Sequence, residues 1–446
     1  MKKILLSLLI IILIAFGILA KYLIDRSTIF TGFAAKNVAS GIFVAGRTQE
    51  SIEAVDINFF PVNLANTVVD MENKIVTSNF FGFGKQTVVY REGLGCTLIG
   101  EKSIDEVKKQ NCKIAEAKSP YKDEFWPMGD VDYDTTLSFV NEEKLNSAIQ
   151  SALKEGNTRS ILVAYDTLVK WEAYADGFNE NTPILGWSMS KSITSTMLGI
   201  LEKEGKIDIN DKSVLDEWKN DERKNISIRN LLNMTSGLKW VEDYGDISEA
   251  TIMLYSSTDI AKYAMSMPVA FPPDSVWYYS SGTSNILSEI IKRKFNSIEE
   301  YWAFPQKEIF HRIGMYNTII EPDAVGTFIG SSYTYAPTRD WARFGLLYLN
   351  NGIWQGDTIV NSDWVKFTQQ EAPNSEGKYG AQFWLNKSGH ELPDAPKDIY
   401  FADGYQGQRV YIVPSKKLVI VRFGVSKRGE FDYNKFVTSV LSAFDN

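Results

Sequence analysis

A serine three residues ahead of a lysine, where an extended segment turns into a helix, can supply a nucleophile and its base without any histidine. Ser188 and Lys191 stand in that relation in GWSMSKSITSTMLGILEKEGKI, residues 186–207. Helical spacing sets the two side chains on one face. The partial positive charge of a helix N-terminus disfavours a protonated lysine nearby, and burial acts in the same direction. A neutral Lys191 could then take the hydroxyl proton of Ser188 as the serine attacks a carbonyl. An N-cap serine followed by a surface lysine has the same spelling, so the pattern alone leaves both readings open.

The spelling S-x-x-K occurs five times, at Ser119, Ser151, Ser188, Ser236 and Ser375. Ser119 precedes Pro120, which disfavours a helix there. Ser151 falls inside an amphipathic helix pattern, Ser236 precedes Gly237 in a turn, and Ser375 lies in the polar run APNSEGKYG. Only Ser188 follows an extended segment and opens a helix, with Ile193, Met197, Ile200 and Leu201 in helical register and Gly205 as the stop. The chain has two histidines, His311 in EIFHRIGM and His390 in SGHELPD. That scarcity disfavours a histidine-rich metal site. No G-x-S-x-G elbow, P-loop or H-E-x-x-H motif is present.

The elements that must hold this pair read as follows. The helical pattern NEEKLNSAIQSALKEG from Asn141 precedes a strand pair in RSILVAYDTLVKWEAYADG. Near the C-terminus QGQRVYIVPSKKLVIVRFG reads as two apolar strands around a turn, and FDYNKFVTSVLSAF as a closing helix. Strands at both ends with helices between predict an α+β domain whose sheet joins the two ends. Residues 30–118, with patches such as KIVTSNF and KQTVVYREG, read as a small strand-rich region, and the polar stretch EAKSPYKDEFWPMGD at 116–130 as its boundary with a domain over 131–446.

With 446 residues, 44% hydrophobic, the chain can bury a sizeable core. Its 47 basic and 55 acidic residues give a net charge of -8 with no dense basic run, which argues against nucleic acid as a partner. Lys2 and Lys3 precede an uncharged apolar run from Ile4 to Ala20, close to the roughly 20 residues that span a bilayer. Residues 1–26 are therefore expected to be a transmembrane anchor, with a cleaved signal segment as the alternative; either puts the remainder on the periplasmic or exterior side. In an oxidising compartment Cys96 and Cys112 are expected to form a disulfide.

SMSKSITS, the later WYYSSG and the late ADGYQGQ follow the motif order of the serine β-lactamase and penicillin-binding fold. With SIRNLLNMTSGLKW, RIGM and YAPTRDWARFGLLYL, the chain resembles the class C β-lactamase-related serine hydrolases, closest to the 6-aminohexanoate-dimer hydrolase and esterase branch. The likeness covers roughly residues 131–446. It implies a DD-peptidase/β-lactamase-like fold, an antiparallel sheet flanked by helices with a mostly helical subdomain. It implies Ser188 as nucleophile, Lys191 as its partner and Tyr279 as the tyrosine of a Tyr-x-Asn motif, with Tyr278 one register off as the alternative. Ser281 replaces that asparagine, and Ala402-Asp403-Gly404 stands where Lys-Thr-Gly is expected. Loss of that lysine removes a cation suited to a substrate carboxylate. Gly404 would bring backbone close to substrate, the N–H groups of Ser188 and Tyr405 would form an oxyanion hole, and Tyr244 would line the pocket. No metal or organic cofactor is implied. The resulting expectation is a membrane-tethered serine hydrolase cleaving an ester or linear amide. A cell-wall peptidase or β-lactamase is the rival enzyme, and a non-catalytic binding module the rival of another class.

Overall fold

A computed structural model describes residues 2–112, 123–131 and 137–444. The first helix, α1 (Lys2–Phe43), is 42 residues long, about 63 Å at 1.5 Å per residue. Its N-terminal half is exposed from Ile4 to Leu19, whereas Phe30 through Gly41 are all buried. Among the described residues it is the one helix long and apolar enough to cross a membrane.

The buried half of α1 revises one expectation. Residues 30–43 do not begin the strand-rich region; they continue the helix. FTGFAAKNVASGIF is enclosed on all sides, so it lacks the polar stripe that marks a surface helix. Small residues let neighbours approach closely: a Cβ on Gly32 would lie 3.0 Å from Tyr255 Cβ, and one on Gly41 would strike Ile52. Lys36 pairs with Glu321, both almost wholly buried, and Ser40 donates to Glu321 Oε1 at 2.9 Å. These contacts tie α1 to the body of the protein.

Strands follow as an antiparallel meander, β1 (Asn66–Asp70), β2 (Ile75–Phe80), β3 (Phe83–Arg91) and β4 (Gly95–Leu98), packed on α1. Cys96 in β4 lies opposite Tyr90 and close to Ser40 and Glu321, and its backbone N–H donates to Glu321. Cys112 lies outside the 92–95 turn, its N–H bonded to Glu92 O at 3.2 Å. Both cysteines are buried, and β4 turns Cys96 inward, toward Ser40 and Glu321; the expected bridge to Cys112 is not formed. Residues 116–122 of the boundary stretch, with the Ser119 site, fall outside the described residues.

The main sheet contains β5 (Thr158–Tyr165) and β6 (Leu168–Tyr174) from the start of the domain, and β12 (Trp384–Leu385), β13 (Tyr400–Gly404), β14 (Gln408–Val413) and β15 (Leu418–Gly424) from its end. Between them come a three-stranded sheet of β7 (Ile184–Leu185), β8 (Ile319–Ile320) and β9 (Thr334–Ala336), and a ribbon of β10 (Ile353–Trp354) and β11 (Asp357–Thr358). The main sheet runs β12-β13-β14-β15-β5-β6, all antiparallel, so β15 against β5 joins the two ends of the domain as expected. Alternation sends Leu162, Val410 and Val421 into one core with the helix Thr338–Leu349, and Ile161, Tyr411 and Ile420 into another with the helices Glu142–Leu153 and Tyr433–Leu441. The sheet is thus covered on both faces, the expected α+β architecture of an antiparallel sheet flanked by helices.

Candidate active site

Strand β7 ends at Leu185, and the N–H of Gly186 bonds to Thr334 O at 2.8 Å, anchoring the strand end beside β9. A single 3-10 turn, Trp187–Met189, then precedes the helix Ser190–Lys203. Ser188 therefore sits in the entry turn, one step outside the helix proper. Trp187 takes a φ of +48°, a left-handed conformation that costs a bulky residue about 1–3 kcal/mol. The hydroxyl of Ser190 donates to Trp187 O at 2.7 Å and accepts from the N–H of Thr334 at 3.0 Å, which holds the turn in that shape. Ser188 stays half-buried while both its neighbours are buried.

Lys191 lies one turn on, 1% exposed. Its Nζ is 3.0 Å from each of three oxygens: Ser188 Oγ, Ser281 Oγ and the carbonyl of Ser331. Burial draws its pKa down to about 8, against the opposing pull of Glu242 and Asp403. Protonated, Lys191 donates to all three; deprotonated, it has two hydrogens to share among them. The Ser331 carbonyl only accepts. The Ser281 hydroxyl donates to Glu242 Oε1, so its lone pair faces the lysine. A neutral amine has two N–H donors, and those two partners use both. Its lone pair is left for the hydroxyl hydrogen of Ser188.

Of the two adjacent tyrosines, Tyr279 faces Ser188, which acts to lower its pKa, and its ring lies 4.8 Å from Lys191 Nζ. Tyr278 is 48% exposed and points elsewhere. Burial raises the Tyr279 pKa well above the ordinary tyrosine value, so the phenol keeps its proton at neutral pH. Tyr379 and Trp384 pack on its ring at 5.8 and 5.4 Å.

Glu242 is the residue that sequence reasoning missed. Its Oε2 accepts from the backbone N–H of Ser281 at 2.8 Å, and its Oε1 accepts from the Ser281 hydroxyl and, at 3.2 Å, from Tyr244 Oη. The Trp240 indole N–H holds the same carboxylate. Ser281 therefore sits between Lys191 and Glu242, and Tyr244 touches Ser281 Oγ at 3.3 Å. An acidic residue two places before Tyr244 was the available signal.

The third motif lies on the far side of Ser188. Gly404 ends β13 so close to the turn that a Cβ there would collide with the Gly186 carbonyl. Tyr405 follows directly, its ring 5.6 Å from Trp187 and stacked on Tyr244 at 5.3 Å. Asp403, at the middle position of the motif after Ala402 in the place of the lysine, lies 2.5 Å from Arg409 Nε, and Arg409 also reaches Glu391 at 3.2 Å. Burial raises the Asp403 pKa, and Arg409 opposes that rise.

The structure thus brings together Ser188, Lys191, Tyr279, Ser281, Tyr244, Gly404 and Tyr405. His311 stacks on Tyr316 and His390 lies in an exposed loop, and neither is a partner of Ser188 or Lys191. Among the described residues no cluster of His, Cys, Asp and Glu could hold a metal ion.

Residues 146–434 match the model of the Beta-lactamase family. The chain belongs to that family. A relative within reach by sequence is the 6-aminohexanoate-dimer hydrolase of Paenarthrobacter ureafaciens, 23% identical over 308 residues, covering 61% of this chain and 74% of that protein. Among solved structures, a Bacillus anthracis protein provisionally assigned as a 6-aminohexanoate-dimer hydrolase superposes with a TM-score of 0.57 at 22% identity, over 66% of this chain and 80% of the other. A family VIII carboxylesterase superposes with a TM-score of 0.53 at 17% identity, over 68% and 97%. At these identities the superpositions establish the fold. Family membership makes the chain a serine hydrolase of the β-lactamase type.

Proposed function

We propose that this family member cleaves an ester or a linear amide through a covalent acyl-enzyme, with Ser188 as nucleophile. The observation that carries the reading is the buried Lys191 Nζ, which donates at 3.0 Å to each of Ser188 Oγ, Ser281 Oγ and the Ser331 carbonyl. In its neutral form the amine takes the Ser188 proton as Oγ attacks the carbonyl. The N–H groups of Ser188 and Tyr405 receive the developing oxyanion. Tyr279 donates its phenolic proton to the leaving oxygen or nitrogen and recovers one from Lys191. Water then attacks the acyl group with the roles reversed, and the acid is released. No metal or organic cofactor enters these steps.

Two features favour simple esters and linear amides over β-lactams. Arg409, beside the third motif, is held by Asp403 and Glu391 and is not offered to a substrate carboxylate. Ser281 turns its hydroxyl to Glu242 and does not offer the carboxamide of an asparagine. The exposed half of α1 supports a membrane anchor with the hydrolase on the periplasmic or exterior side. The test is kcat/KM of the full chain in detergent on short-chain esters, linear amides and β-lactams. Turnover of the first two with Ser188→Ala inactive supports the reading; turnover confined to β-lactams refutes it.

A further inference from the structure

A cavity of about 180 Å³ lies between α1 and the catalytic residues. Its inner wall is the Tyr244–Tyr405 stack. That wall is one aromatic layer from Ser188: Tyr244 touches Ser281, and both Tyr405 and the cavity residue Phe33 pack on Trp187, the residue before Ser188. Its outer end is formed by Tyr22 and Arg26 of α1, with Ile29 and Phe30 between. Tyr22 comes three residues after Leu19, the last residue of the exposed apolar stretch of that same helix. The cavity therefore begins where the bilayer-length segment ends.

A second observation fixes what faces that end. Large apolar side chains stand exposed around the root of α1: Phe60 at 61%, Phe81 at 86%, Phe83 at 50% and Ile247 at 41%. Phe60 and Ile247 line the cavity itself. The β2–β3 turn that carries Phe81 and Phe83 is held at this level of α1, because Thr31 Oγ donates to Gly84 O and Gly84 packs on Ser27. Scattered single apolar residues on a surface need no explanation, but a group of them beside the exit of an apolar helix suits a membrane interface. Arg26 bridges to Asp246 at 2.8 Å, which ties the loop bearing Glu242 and Tyr244 to the helix.

We propose that this cavity seats the alkyl chain of a membrane-borne amphiphilic ester or amide, which leaves the bilayer along α1 and presents its carbonyl to Ser188 past Tyr405. This rests on the serine-hydrolase reading above. An apolar cavity of about 150 Å³ holds one benzene ring, so this one takes roughly six carbons, and the rest of a longer chain stays in the bilayer.

The experiment uses the full chain in phosphatidylcholine vesicles and a series of nitrophenyl esters from acetate to dodecanoate. The expected kcat/KM rises by roughly two- to fourfold per methylene until the cavity is filled and then levels. Ile29→Trp fills the cavity and should lower octanoate hydrolysis by about tenfold or more while acetate stays within about twofold. Ile247→Trp, at the exposed rim, makes the same test should the first variant fail to fold. Octanoate ester carried in the same vesicles as the protein should be cleaved faster than ester carried in separate vesicles. A flat chain-length profile with acetate still cleaved overturns the cavity assignment alone, as does equal loss of all chains in both filled variants or equal rates from the two vesicle populations. Failure to cleave any ester, acetate included, overturns the hydrolase reading and this inference with it.

Discussion

Exchanging Glu242 for glutamine changes one charge beside the Lys191 network and keeps the side-chain shape. Glu242 lies beyond Ser281 from the lysine and favours its protonated form, while burial favours the neutral form and prevails, leaving the pKa at about 8. Acylation in this account needs the neutral amine. At pH 7 about one lysine in eleven is then neutral, and at pH 9 about ten in eleven, so kcat/KM on a short ester should climb about tenfold between those values. Tyr279 stays protonated across this range because its pKa is raised well above the ordinary value, so a single ascending limb is expected. In Glu242→Gln the support for the ammonium is gone. The inflection must move to lower pH, and the rise between pH 7 and 9 must shrink below tenfold. Weaker orientation of Ser281 lowers the plateau, which is a separate readout from the inflection. The assay is kcat/KM from pH 6 to 10 for both proteins, with melting curves at each pH. An inflection that stays put or moves upward in the variant refutes the assignment of Lys191 as the titrating base.

Other expectations follow from the same contacts. The lowered Lys191 pKa makes the folded state release its proton before the unfolded chain does, so burying it destabilises the protein fully below about pH 8 and the penalty fades toward the unfolded value near 10.5. The unfolding free energy of the parent relative to Lys191→Met should therefore rise by about 2–3 kcal/mol from pH 7 to pH 10, measured by urea titration. Lys36→Met leaves Glu321 buried without its cation and should lower stability by about 3–5 kcal/mol. Tyr279→Phe keeps the ring packing and should lower kcat by about 10²–10⁴-fold; Tyr278→Phe and the His311→Gln and His390→Gln variants should leave turnover within several-fold of the parent. Without reductant, the native protein should show no accessible thiol, because Cys96 and Cys112 are both buried.

How much of this was readable in advance depends on how local each signal is. Ser188 and Lys191 share one turn, and Tyr279 follows in motif order, so spacing and order found them. Motif order favours Tyr279 with Tyr278 one register off as the alternative, because two adjacent tyrosines carry the same composition signal. Glu242 reaches Ser281 across 39 positions of sequence, and no periodicity reports such a contact. Residues 30–43 of α1 read as strand because a helix buried all round shows neither a polar stripe nor a stop. The main sheet was legible at both ends, where β5, β6, β14 and β15 are apolar runs bounded by turns. The cysteines were paired on the strength of their compartment, whereas the direction of the Cys96 side chain is set by β4 and its contact with α1.

The central claim is that Ser188 carries the acyl group. Stopping turnover of a slow ester with acid and mapping the adduct by peptide mass spectrometry tests it directly. The account predicts the acyl mass on the peptide containing Ser188, absent in Ser188→Ala and accumulating in any variant slowed in deacylation. Ester hydrolysis at the parent rate by Ser188→Ala, or an adduct on another residue of the parent, contradicts it.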